Sequence, residues 1–96
     1  MFIKTKIAKL IGHLIIDRPE SLNALNNMVL DELIMKINEL ISDSEVRVII
    51  VSGAGDKAFI AGADIKLMQS MDKKEALNFA KKGHLLTSLI ENSNKP

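Results

Sequence analysis

The strongest constraint on this 96-residue chain is the run Val46-Arg47-Val48-Ile49-Ile50-Val51, which is nearly continuous in β-branched residues. Such side chains suit a pleated backbone and lose rotamer freedom in a helix. A run without polar alternation reads as a strand buried on both faces, which needs a covering layer on each side. An α/β architecture follows.

The flanking segments fit that reading. Phe2 to Ala8 alternates, with Ile3, Thr5 and Ile7 on one face and Lys4 and Lys6 on the other, as in a half-buried strand. Leu10 to Ile16 is a second strand, close enough to pair with the first as a hairpin around Ala8-Lys9. Pro19 ends it, because proline lacks a donor and biases Arg18 away from helix. Asn26 and Asn27 are candidate caps for a helix over Met28 to Ile41, where Leu30, Leu33, Ile34, Ile37, Leu40 and Ile41 recur at helical spacing. A short helix is expected from Asp64 or Ile65 to Met71. Asp72, with Glu75 three residues on, marks a capping box opening a longer helix whose buried stripe is Phe79, Leu86 and Ile90. The expected order is strand, strand, helix, strand, short helix, helix.

Composition narrows the function classes. Hydrophobic residues make up 47% and aromatics 3%, so the core is aliphatic. Thirteen basic and twelve acidic residues give a formal net charge of +1, which argues against a nucleic-acid-binding module. With no cysteine, disulfides and thiolate metal sites are excluded, and two histidines are a poor basis for a metal centre. Lysines break the N-terminal segment, so it is no secretory signal, and the apolar runs are far too short to span a membrane. A cytoplasmic protein is expected.

Two readings compete for the segment after the β-branched run. Gly53-Ala54-Gly55-Asp56-Lys57-Ala58 formally matches the dinucleotide pattern G-x-G-x-x-G/A. That pattern requires a helix starting inside it and an acidic residue closing a second strand about twenty positions on, whereas here Ala58-Phe59-Ile60-Ala61 follows and Glu75 falls at a helix start. The other reading centres on Ala61-Gly62-Ala63-Asp64. A small-residue turn entering a helix leaves backbone N–H groups unpaired at the positive end of the helix dipole, suited to an oxygen gaining negative charge. A tight strand-to-helix connection with no ligand explains the same residues equally well.

Two longer segments carry a resemblance. Asp17-Arg18-Pro19-Glu20-Ser21-Leu22-Asn23-Ala24-Leu25 resembles the N-R-P-x-x-x-N-A-L signature of the enoyl-CoA hydratase/isomerase (crotonase) family. Val46 to Gly53, followed by Lys57-Ala58-Phe59-Ile60-Ala61-Gly62-Ala63-Asp64-Ile65-Lys66, resembles its second signature, V-x-x-x-V-x-x-G followed by K-A-F-x-A-G-A-D-I-x. The resemblance implies the N-terminal part of a crotonase-like spiral of ββα units over residues 1–96, binding a coenzyme A thioester. It implies that the Ala63 main-chain N–H is one of two donors to the thioester carbonyl. Ala61, Gly62, Ala63, Asp64, Ile65 and Lys66 would line the adenine and pantetheine side, and Ser21 and Leu22 would meet the CoA tail. Arg18, Lys57 and Lys66 are candidates for its phosphates, with Lys57 better read as a solvated cation.

Asp17 departs from the family's Asn. More consequentially, the chain stops at Asn94-Lys95-Pro96, before the Gly-rich turn carrying the second donor and before the two catalytic glutamates of the hydratases. A domain truncated ahead of that turn is therefore expected, inactive alone or pairing with a separate C-terminal half. Glu75 and Glu91 read as cap and solvent-facing charge, His13 as a packed or edge residue, His84 as surface, and Met68 and Met71 as core or subunit-contact filler. No permanently bound cofactor is implied, since coenzyme A arrives as part of the substrate. Full-length family members form trimers or hexamers.

Overall fold

A computed structural model describes all residues from Met1 to Pro96. Its elements are β1 (Ile3–Ala8), β2 (Ile11–Ile16), a 3-10 turn (Pro19–Ser21), α1 (Asn27–Ser42), β3 (Val48–Gly53), α2 (Ile65–Gln69) and α3 (Lys73–Glu91), in the expected order. β1 and β2 form an antiparallel hairpin, closed by Ala8 opposite Ile11, while β2 pairs in parallel with β3. Lys9 and Leu10 turn the hairpin with φ of 52° and 67°, both left-handed. A two-residue loop with both φ positive matches the twist of the strands it joins, although Asn-Gly is the residue pair that adopts it at least cost.

The core lies on one face of the sheet. Leu14 and Ile16 of β2 are fully buried against Val29, Leu30, Leu33, Ile37 and Leu40 of α1. Gly12 makes the approach possible, since a Cβ there would stand 3.0 Å from Leu40 Cδ2 and 3.1 Å from a Val46 methyl. The Asn26 carboxamide caps α1 through the Val29 N–H at 2.9 Å. α3 packs on the outside of α1, so α1 is a middle layer between sheet and α3. This layering explains why α1 buries five side chains and α3 only Leu86.

Several expectations are corrected. β3 is covered on one face only. Ile49 and Val51 lean on the core, whereas Val48 and Ile50 are 37% and 42% exposed, because β3 is an edge strand and no element of this chain lies over the second face. The strand also begins at Val48 rather than Val46, since Val46 turns into the core while the Arg47 N–H bonds the Leu10 carbonyl at 2.8 Å. Ile7 is exposed, because α1 covers only the Ile3 end of β1. On α3, Ile90 is half exposed and Leu89 takes its place against the core. The capping box is one-sided: the Asp72 carboxylate accepts the Glu75 N–H at 2.8 Å with no reciprocal bond. No helix is long and apolar enough to cross a membrane.

Candidate functional site

Between β3 and α2 the chain makes a turn held from one side by residues 22–25. The Ala61 N–H donates to the Leu22 carbonyl at 3.1 Å, the Leu25 N–H to the Gly62 carbonyl at 2.8 Å, and the Asp64 N–H to the Leu25 carbonyl at 2.8 Å. Leu25 and Ala63 thereby form an isolated parallel bridge. In this pattern the Ala63 N–H makes no hydrogen bond within the protein. Gly62 has φ of 133°, a region closed to other residues, and the space beside it is open. The glycine is therefore required by the backbone and not by crowding.

Asp64 begins α2. Its Oδ1 accepts from the Lys66 and Leu67 N–H groups at 3.1 and 3.3 Å, the helix cap expected from the sequence. Its Oδ2 takes a hydrogen bond from Arg18 Nη2 at 3.1 Å, with both side chains mostly buried. The Leu67 N–H above all, and the Arg18 guanidinium beside it, hold the Asp64 carboxyl below the ordinary value of 3.8, against a smaller opposing pull from desolvation.

Arg18, Ser21, Ala61, Ala63, Asp64, Ile65 and Lys66 all line one cleft of about 490 Å³, with Glu20 and Ala24. The two signature segments thus meet in space although the α1 and β3 regions separate them in sequence. Within the cleft the residues present different groups. Lys66 is exposed and forms no ion pair, whereas the Arg18 guanidinium faces inward, its Nη1 donating to the Ala24 carbonyl at 2.9 Å and its plane lying 5.8 Å from the Phe2 ring. Leu22 and Lys57 fall outside, in a neighbouring hollow of about 300 Å³ bounded by Pro19 and Gly55. The Gly62 carbonyl is taken up by Leu25.

Asn23 was not singled out by sequence reasoning as more than a signature letter. It is the one buried polar residue, 1% exposed, and it sits at φ of 59° after Leu22 at 52°. Its Oδ1 accepts the Arg18 N–H at 2.9 Å, and its Nδ2 donates to the Ala54 and Ala58 carbonyls at 2.9 and 3.0 Å. A lone carboxamide between Leu22 and Ala24-Leu25 was the available signal, because a polar group in an apolar stretch must find partners if buried.

The fold is that of the crotonase class. It superposes over its whole length on the crystal structure of enoyl-CoA hydratase from Bacillus anthracis with a TM-score of 0.94 at 26% identity, covering 38% of that chain. Enoyl-CoA hydratase from Thermoplasma volcanium matches with the same score at 31% identity, again over 38% of its chain. The family model for enoyl-CoA hydratase/isomerase matches residues 11–96, and the chain belongs to that family. It is 43% identical over 81 residues to the short-chain-enoyl-CoA hydratase of Clostridium acetobutylicum, and 41% identical over 83 residues to the crotonyl-CoA hydratase of Syntrophomonas wolfei. Those alignments cover 84% and 86% of this chain but 31% and 32% of the relatives, so the chain spans about a third of the length of the curated proteins it matches.

Proposed function

We propose that this chain supplies the thioester-polarising side of an enoyl-CoA hydratase site, acting on 2-enoyl-CoA substrates. The observation that carries the reading is the Ala63 N–H, left without a protein acceptor while the chain on either side of it is pinned by Leu25, at the edge of the cleft that the two signature segments share. In hydration, water oxygen bonds to C3 of the enoyl group, a proton adds at C2, and the electrons of the double bond pass through an enolate-like thioester. The carbonyl oxygen gains charge on the way, so a fixed N–H aimed at it stabilises the transition state more than the ground state. A donor of this kind is worth about 3 kcal/mol of barrier. The small side chains of Ala61 and Ala63 let the thioester approach the backbone. Ser21 and Ile65 border the tail, and Lys66 offers its free ammonium to the CoA phosphates. Arg18 instead holds Asp64. Coenzyme A comes and goes with the substrate, and no resident cofactor is needed.

The cleft contains two carboxylates, Glu20 and Asp64, and Asp64 is committed to Arg18 and to the start of α2. One free carboxylate does not make the acid–base pair that hydration requires. The 96 residues by themselves are therefore expected to bind acyl-CoA without turning it over. Calorimetry with butyryl-CoA tests the first part, and an absence of heat at millimolar ligand would sink it. Loss of the enoyl absorbance of crotonyl-CoA at an enzymic rate would sink the second.

A second reading concerns assembly. β3 presents an edge, Val48 and Ile50 are uncovered, and the Ile49 N–H already bonds the Pro96 carbonyl at 2.9 Å. An exposed apolar edge strand is a template for further pairing. The proposed occupant is the remaining two thirds of a crotonase domain, on the same or another polypeptide, within the trimer or hexamer that the family implies. Co-expression with the corresponding region of the Clostridium acetobutylicum relative should give a co-purifying complex. Separate elution of the two parts would rule this pairing out.

A further inference from the structure

We infer that Asn23 is the positioning residue of the Ala63 turn, an assignment that rests on the acyl-CoA reading above. Its side-chain orientation is fixed by its partners: an N–H from Arg18 requires the oxygen on one side, and two carbonyls require the NH₂ on the other. Each of these contacts controls a different support of the turn. The Arg18 backbone is held twice, by the Asn23 Oδ1 and by the Asn23 N–H donating to the Arg18 carbonyl at 2.9 Å. That hold aims the guanidinium at Asp64 and Ala24. The Nδ2 bonds fix Ala54 and Ala58, the two ends of the loop that delivers Phe59 to Ala61. The left-handed φ of Leu22 and Asn23 turns the chain so that Leu22 and Leu25 can bond Ala61, Gly62 and Asp64. Asparagine tolerates this φ better than other non-glycine residues. β3 closes on the same amide, since a Cβ on Gly53 would lie 2.7 Å from Asn23 Nδ2. One carboxamide therefore ties three segments, at Arg18, at Gly53-Ala54 and at Ala58, to a single geometry, and the Ala63 N–H is the group left over.

The test uses two variants and a site-specific readout. Asn23→Asp keeps the shape and the acceptor for Arg18 but abolishes both donations. Asn23→Gly removes the side chain while accepting the positive φ. In isotope-labelled protein, the amide resonances and hydrogen-exchange rates of Gly62, Ala63 and Asp64 should change in both variants, while those of Leu33 and Ile37 in α1 stay as in the parent. In a butyryl-CoA titration, affinity should fall about tenfold in either variant, as expected for a lost set of buried hydrogen bonds. Unchanged Gly62–Asp64 amides in a folded variant would overturn the assignment. Global unfolding of both variants would overturn it too, because a positioning role requires the rest of the fold to stand. If the parent shows no response to butyryl-CoA, the acyl-CoA reading fails, and the ligand-free amides still decide the role of Asn23.

Discussion

Replacing Arg18 with methionine isolates the polar support of the site from its packing. Methionine keeps an aliphatic stem against Phe2 and deletes the guanidinium. The structure gives what is lost: a charge-assisted bond to the Ala24 carbonyl at 2.9 Å and an ion pair with Asp64 at 3.1 Å, its side chains 14% and 20% exposed. The bond to the carbonyl is worth about 1.5–3 kcal/mol, because its acceptor is left partly buried and unpaired. The ion pair is neither fully exposed nor fully buried, and about 1 kcal/mol is a reasonable share for it. The loss of the cation over the Phe2 ring adds about 0.5 kcal/mol. Arg18→Met should therefore cost about 3–4.5 kcal/mol, a large part of the stability of a domain this size. Urea denaturation followed by circular dichroism would show it as a midpoint lowered by about 2–3 M, for a slope of about 1.5 kcal/mol per molar. Asp64→Asn closes a double-mutant cycle, since its oxygen can still cap α2. A loss below about 0.5 kcal/mol, or a cycle with no coupling, would refute the claim that this pair supports the turn.

Three further outcomes are expected. Gly53→Ala places a methyl 2.3 Å from the Phe59 carbonyl oxygen, which backbone cannot vacate, so a loss of about 2–3 kcal/mol is expected in the same denaturation assay. Replacing Lys9-Leu10 by Asn-Gly relieves two left-handed non-glycine residues and should raise the thermal midpoint by a few degrees, equivalent to about 1 kcal/mol. The pH dependence follows from Asp64 and Glu32. Partial burial alone would raise the Glu32 carboxyl, but the Phe2 and Ile3 N–H groups and the N-terminal ammonium outweigh it, and both carboxyls lie below their ordinary values of 4.5 and 3.8. A depressed carboxyl contributes stability that is full above its unfolded value and is lost as pH falls through the folded one. Thermal midpoints should be flat from neutrality down to about pH 5 and fall below that, with the fall reduced in Asp64→Asn.

Much of the fold could be read from period and punctuation. α1 declares itself by its apolar spacing and by Asn26, and the hairpin by the short gap between two alternating strands. These signals are local, and local chemistry decides them. The coverage of β3 was not decided locally. A β-branched run states that a strand suits burial, but which face is covered depends on how many layers the chain supplies, and α1 with α3 stack on the same side. The same stacking explains Ile90. Helical spacing placed the stripe to within one residue, and the face of α3 that meets the core takes in Leu89 instead of Ile90.

The candidate site divides along similar lines. The turn Ala61-Gly62-Ala63-Asp64 is visible as a small-residue entry into a capped helix, although on those four residues alone a plain strand-to-helix connection fits equally well. Its supports are not, because they act across long separations. Arg18 meets Asp64 46 residues away, and Asn23 meets Ala54 and Ala58 at 31 and 35. A sequence shows Arg18 as a cation, and a cation near a CoA-binding segment invites a phosphate. Only the fold reveals that both of its terminal nitrogens already have protein partners. The division has a physical cause. An N–H stays free for a ligand when the backbone that carries it is held so that no protein acceptor lines up with it, and the hold on this turn runs through the carbonyls of Leu22, Gly62, Ala24 and Leu25. Each accepts from Ala61, Leu25, Arg18 or Asp64. The free donor thus depends on groups elsewhere in the chain, which the residues of the turn do not by themselves reveal.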